Sequence, residues 1–211
     1  MVRVFEVLPA TSRGNNRYRT VAPSEPVDWT LWQFDGSKKA QRWYDRRPAV
    51  EFLNRRRPIA PFLPCTAPGS FALLQPIDSH LEQLISEVAE ILPVPDVNGV
   101  EISIVNPFPS YSCIDLTLSD GPRFGDGSFM DIEHFVFDKD RLPERSLIRP
   151  AENWSTLLAV QGTVPDEKDF KALVERRYLP GLEFRELWNE ELGPVQSRGV
   201  SDIWRTSPTT Y

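Results

Sequence analysis

Histidine, cysteine and methionine occur only twice each in the 211 residues. Two cysteines, Cys65 and Cys113, cannot build a disulfide framework and are expected as free thiols. His80 and His134 fall in different predicted elements, without an HxxxH or CxxC partner. Neither a structural zinc site nor an HExxH hydrolase is therefore expected, and no metal or cofactor is assigned. GxSxG, SxxK, GxGxxG and GxxxxGK[ST] spacings are also missing, which argues against a nucleophile elbow and a phosphate-cradling loop. No apolar run is long enough to cross a bilayer. The first residues, MVRVFEVLPA, alternate without an apolar leader core, so the expected compartment is the cytoplasm and no membrane partner is expected.

Lysine and arginine are absent between Arg57 and Arg123, a span that carries eight acids. Residues 1–57 hold twelve Lys/Arg and six Asp/Glu, whereas residues 58–211 hold twelve and twenty-four. The total of −6 disfavours nucleic acid and anionic membrane as partners and favours a basic one. Apolar content of 40% and charged content of 26% describe a folded chain. Twenty prolines argue for short elements and many loops rather than a helical bundle.

What is present reads as α+β: a mostly antiparallel mixed sheet with two main amphipathic helices. The first helix spans Ser79–Leu92, with Ser79 and Glu82 at capping-box spacing, a stripe from Leu81 to Leu92 and Pro93 as its stop. The second opens at Thr163 and Asp166, around Pro165, and ends at Pro180-Gly181. The alternating strand Leu182–Trp188 follows and buries the helix face formed by Phe170, Leu173, Val174 and Tyr178. Further strands are expected at Val2–Leu8, Val27–Phe34, Val100–Val105, Cys113–Leu118, Ile132–Asp138 and Thr156–Gln161. Val100–Val105 and Cys113–Leu118 would form a looped hairpin. Thr11–Pro26, Pro58–Pro68 and Ser119–Ser128 read as loops. The whole chain reads as one domain, with residues 1–64 a basic, proline-rich part that could be semi-independent.

Three functional classes remain. Glu87 and Glu90 on the first helix, with Asp120, Asp126, Asp131 and Glu133 around the glycine-rich loop, form an acidic surface suited to a basic protein partner. An enzyme would need a pair assembled in space, Asp/His or Cys/His, from His80, His134, Cys65 and Cys113. Lys38–Arg57 interleaves six arginines with Trp43, Tyr44 and Phe52, a pattern single-stranded nucleic acid can use. Without an RNP-type or helix-turn-helix signature, nucleic acid is not the expected partner.

The stretch YLPGLEFRELWNEE at Tyr178–Glu191 resembles a recurrent ending in a family of bacterial immunity proteins encoded beside polymorphic toxins. Leu179, Gly181, Leu182, Phe184 and Trp188 match its turn and strand, and Asp166–Arg177 its preceding helix. LEQLISEVAEI at Leu81–Ile91, VNGVEISIVN at Val97–Asn106, YSCIDLTLS at Tyr111–Ser119 and FVFDKDRLPERSLIRPAENW at Phe135–Trp154 are similar to upstream parts of that pattern. The likeness covers about Ser79 to Glu191, and residues 1–70 do not match. It implies an α+β fold and a cognate toxin as partner, bound and occluded without catalysis.

Overall fold

The computed structural model describes residues 1–12, 15–24, 28–144, 146–164 and 168–195. Gly14, Pro26-Val27, the Pro165-Asp166 start of the second expected helix, and the terminal stretch with Trp204 lie outside the described residues. The fold is α+β, mostly sheet, with few and short helices. In chain order its strands are β1 (Arg3–Pro9), β2 (Thr11–Ser12), β3 (Asn15–Asn16) and β4 (Thr20–Pro23). Helices α1 (Trp29–Trp32) and α2 (Ala40–Asp45) precede β5 (Val50–Leu53), β6 (Phe62–Pro64) and β7 (Phe71–Leu74). Then come α3 (Ser79–Ser86), β8 (Ala89–Pro93), β9 (Ile102–Pro107), β10 (Ser110–Tyr111), β11 (Leu147–Pro150) and β12 (Leu158–Gln161). Helix α4 (Phe170–Arg176), β13 (Leu182–Asn189) and β14 (Gly193–Pro194) close the described chain.

A six-stranded sheet runs β10-β11-β12-β1-β13-β14 and a four-stranded sheet runs β6-β7-β9-β8. Apart from the short parallel β10–β11 pair, their ladders are antiparallel. Alternation along β1 explains its central place. Phe5 and Val7 enter a core shared with Phe62, Phe71 and Leu73 of the other sheet, and with Leu81, Ile85, Phe170 and Leu173 of α3 and α4. Val4 points the other way, into a cluster with Ile148, Leu158, Leu187 and Trp188. Glu6, on that same face, is buried and paired with Arg185. The far face of the four-stranded sheet, through Leu63, Ala72 and Ile104, is covered by the N-terminal layer of Val21, Trp32, Phe34, Trp43 and Phe52. Residues 1–64 thus supply both a central strand and a covering layer.

Several expected elements differ, each for a local reason. The first helix ends at Ser86, and Asp78, not Ser79, caps it by accepting from the His80 and Leu81 amides. With no basic residue in its last turn, extension would place Glu87 and Glu90 at the negative end of the helix dipole. Ala89–Pro93 instead pairs residue for residue with β9. Strand β9 also pairs with β7, a strand not expected at all, rather than forming a hairpin with Cys113–Leu118. The strand expected at Val27–Phe34 is helix α1, because the Asp28 carboxylate holds the Thr30 amide and hydroxyl at 3.0 and 2.6 Å. Thr11–Pro26 and Pro58–Pro68 contain β2–β4 and β6 rather than loop alone. Helix α4 is capped by Asp169, which accepts from the Ala172 amide at 3.0 Å. Phe170, Leu173 and Val174 pack toward the following strand as expected, with Phe170 and Phe184 6.2 Å apart edge to face, but Tyr178 lies past the end of α4 and is exposed, not on the buried face.

Arg149 on β11 is fully buried, and its guanidinium donates to four backbone carbonyls: Pro107 at 3.3 Å, Gly69 at 2.6 Å, Phe34 and Trp154. Burial pushes its pKa down to about 10, so it stays charged at neutral pH. Replacing it with methionine keeps the bulk but leaves those carbonyls unsatisfied. We expect Arg149→Met to cost about 3 kcal/mol or more, read as a lower urea midpoint. A midpoint within error of wild type would contradict this.

Candidate interaction surface

Residues 112–138 form an irregular flap over the outer face of the six-stranded sheet. The expected strands Cys113–Leu118 and Ile132–Asp138 are reduced here to isolated bridges, Ile114 with Phe137 and Asp120 with His134. The cause is local polar bonding that competes with a ladder. The Asp115 carboxylate accepts from the Thr117 and Leu118 amides at 2.9 and 3.1 Å and turns the chain at once. At Gly121 (φ +156°) a Cβ would collide with the Asp131 carbonyl, so only glycine lets the two arms approach. The Asp126 carboxylate holds the Ser128 amide and hydroxyl at 2.9 and 2.6 Å. Arg123 lies 3.5 Å over the Phe129 ring and donates to the Gly127 and Leu116 carbonyls.

The flap is anchored from below. Ile114, Ile132, Phe135 and Phe137 are buried against Val4, Leu158, Leu187 and Trp188. Phe137 meets Trp188 edge-on at 6.0 Å. Its upper side is different: Leu116, Leu118, Phe124 and Met130 are 43%, 67%, 53% and 57% exposed. Asp120 and Asp126 are exposed among them and Asp131 and Glu133 are half-buried. The Ser128 hydroxyl and amide hold the Asp126 carboxyl below the usual range, so it is charged at neutral pH. Exposed large apolar groups among mostly acidic residues, with Arg123 the one exposed arginine of the flap, have the composition of a protein-binding face.

Four of the six acids expected to form one surface are thus together on the flap. Glu87 is not with them: it is exposed at the end of α3, in a shallow cleft with Leu84, Val88, Glu144, Ser146 and Lys168. Glu90 has a structural task. Its carboxylate accepts from the Lys39 amide at 2.7 Å, the Ala40 amide at 3.1 Å and Asn106 Nδ2 at 2.8 Å, which fixes the start of α2 to β8. Glu90 is therefore corrected from contact residue to internal acceptor. The exposed apolar residues were missed. Their signal was an apolar residue at each turn of a loop rich in Asp, Ser and Gly.

The other two classes find less. In the basic stretch Trp43 and Phe52 are buried and Trp43 stacks on Trp32 at 6.2 Å. Tyr44 is its one exposed aromatic, and Arg42 and Arg46 pair with Asp28 at 3.2 and 3.8 Å. Base-stacking platforms are thus largely spent on the core. Burial pushes the Cys65 and Cys113 thiols up to about 12, far from a nucleophile at neutral pH. The His80 ring approaches Arg177 at 3.5 Å rather than a carboxylate or thiol. Among the described residues no group of three His, Cys, Asp or Glu could hold a metal ion. No protein-family model matches the chain, and no curated protein matches it either.

Two outcomes follow. Phe124→Ala and Met130→Ala should leave stability within about 0.5 kcal/mol, whereas Phe137→Ala should cost about 3–5 kcal/mol in chemical denaturation. A large loss at Phe124 would mean that its ring is part of the core. At the turn before α2, burial alone would raise the Asp35 pKa, but the bonds from Ser37 and Lys39 outweigh it and hold it at about 2. A carboxylate depressed on folding stabilises above its unfolded pKa of about 3.9 and loses that contribution as pH falls through the folded value. Denaturation at pH 7 and pH 2 should therefore show a smaller acid loss for Asp35→Asn than for wild type. Equal losses would refute this.

Proposed function

We propose that the protein is an inhibitory binding protein, and within that class an immunity protein that neutralises a cognate toxin by covering it in the cytoplasm, without catalysis. The observation that carries this reading is the flap. Leu116, Leu118, Phe124 and Met130 stand exposed among Asp120, Asp126, Asp131 and Glu133, on a loop bolted to a sheet. Apolar anchors give such a contact its lifetime, and the acids speed encounter with a basic surface and reject wrong partners. A flap anchored on a rigid scaffold also loses little conformational freedom on binding. The resemblance over Ser79–Glu191 points to the same class, and the flap lies within it.

The test takes the protein encoded by the neighbouring reading frame as the candidate toxin, co-purified and then titrated by surface plasmon resonance. Asp120→Lys with Asp126→Lys should lower the association rate about tenfold or more and reduce its salt dependence. Phe124→Ala with Met130→Ala should instead raise the dissociation rate, with a loss of about 2 kcal/mol. Unchanged rates for both pairs would remove the flap from the interface. Failure of the two proteins to associate at all would remove the immunity reading.

A further inference from the structure

The six-stranded sheet has an open edge at β13. The Ala10 amide donates to the Gly181 carbonyl at 2.9 Å, and β1 pairs Leu8 with Glu183 and Glu6 with Arg185. By alternation, Gly181, Glu183 and Arg185 turn their backbone groups toward β1, while Leu182, Phe184 and Glu186 turn theirs away. Strand β14 covers only Trp188 and Asn189, and the bond from the Val195 amide to the Leu187 carbonyl at 3.0 Å ends that contact. At the other end the chain turns at Gly181 (φ +120°), where a Cβ would collide with the Phe62 carbonyl, so no strand can pass. Among the described residues the free edge is therefore Leu182–Glu186, with the outward backbone groups of Leu182, Phe184 and Glu186 unpaired. Neither proline nor lysine guards it.

We propose that this edge pairs with the same edge of a second copy of the chain, antiparallel about a two-fold axis at Phe184. The choice of occupant comes from the residues. A two-fold pairing that uses the whole free edge must be centred on its middle residue. Phe184 then faces Phe184 of the second copy in reciprocal hydrogen bonds, and Leu182 faces Glu186 in the same way. Glu183 falls opposite Arg185 of the second copy, twice, in the positions where facing side chains are closest. Arg185 already holds Glu6 of its own chain and Glu183 accepts from the Thr11 amide, so each Glu183 joins the Arg185–Glu6 pair as a second carboxylate, and no like charges face each other along the edge. A register shifted either way runs into β14 or into the Gly181 turn.

The adjoining surface adds contact area. A groove of about 550 Å³ lies beside β13, lined by Val174, Leu179, Leu182 and Phe184, with Tyr178 on its rim. Tyr178 is 90% exposed and holds a left-handed backbone at φ +52°, where glycine is the usual residue. It ends α4, with its own amide bonded to the Glu175 carbonyl and the Leu179 amide to that of Val174. That geometry aims a large ring outward beside the edge, where an approaching strand would cover it. Five residues of strand pairing and one groove make a small isologous contact, so the dimer is weak and concentration-dependent.

The test is light scattering and sedimentation of the whole chain from about 1 to 200 µM, a range that brackets a dissociation constant on the order of 10 µM. We expect the dimer fraction to rise across it, and hydrogen exchange at the Phe184 and Glu186 amides to slow in parallel. Glu183→Lys sets like charges opposite each other twice and should weaken the dimer about tenfold or more. Leu182→Pro removes an outward donor, together with a side chain half-buried against the core, and should abolish the dimer while thermal melting still reports a folded chain. A monomer at every concentration would overturn the proposal, as would a dimer of full affinity in both variants. So would slow exchange at those amides that does not depend on concentration, because then the chain beyond Val195 occupies the edge. No toxin enters these measurements, so their outcome is separate from that of the flap.

Discussion

The Arg149 guanidinium is the interaction on which the two sheets depend for their mutual placement. It belongs to β11 of one sheet and reaches the end of β9 in the other through the Pro107 carbonyl. Its other hydrogens go to the chain after α1, the turn between β6 and β7, and the loop before β12. None of these acceptors is a carboxylate. A buried cation held by carbonyl dipoles keeps its solvation only if all of them stay in place, so the arrangement is close to all-or-none. The fit is tight enough that a Cβ on Gly69 (φ +61°) would overlap Arg149 Nη1 and the Trp154 carbonyl. Position 69 is restricted to glycine by this contact as well as by its backbone.

That junction was not legible in the sequence: the one acid in the run SLIRPAEN, Glu152, bonds Ser112 instead, and the groups that hold Arg149 are backbone carbonyls, mostly of distant segments, which no residue type marks. Period-2 alternation was legible where the strand has two different apolar faces, as in β1, or one, as in β13. It misled where aspartate side chains offered the backbone nearer partners: Asp28 made a helix turn of an alternating segment, and Asp115 broke another into turns. Helical spacing in Ser79–Leu92 was real as far as Ser86. Beyond it, Ala89 and Leu92 are buried in a strand instead. In each case a long-range ladder or a short side-chain bond won over a local pattern, as weak propensities allow.

The candidate surface was half legible. Charge depletion of basic groups between Arg57 and Arg123 pointed to an acidic face, and four of the acids named do share one. Sequence alone could not separate them from Glu90, since an acid accepting three hydrogen bonds and one facing water look alike as a letter. Nor could it give the exposure of Phe124 and Met130. Apolar residues in a loop are by default expected to tuck inward, and here the positions below were already filled by Ile114, Ile132, Phe135 and Phe137.

Segregation of charge in the chain becomes segregation in space. The basic stretch forms the layer that covers the outer face of the four-stranded sheet, while the acidic flap covers the outer face of the six-stranded one, with the shared core between them. The arginines of the first layer are partly engaged locally, by Asp28 and Glu51. Those ion-pair partners lie in the same layer and not on the flap. The flap's field is therefore available to whatever approaches from outside. An irregular loop with a negative rim and apolar tips can vary at its tips without disturbing Phe135 and Phe137 beneath, because the buried anchors Cys113, Ile114, Ile132, Phe135 and Phe137 lie in its two arms and Leu116, Leu118, Phe124 and Met130 lie between them. A rigid base and a replaceable upper side are what a binding protein needs if its partner changes faster than its fold.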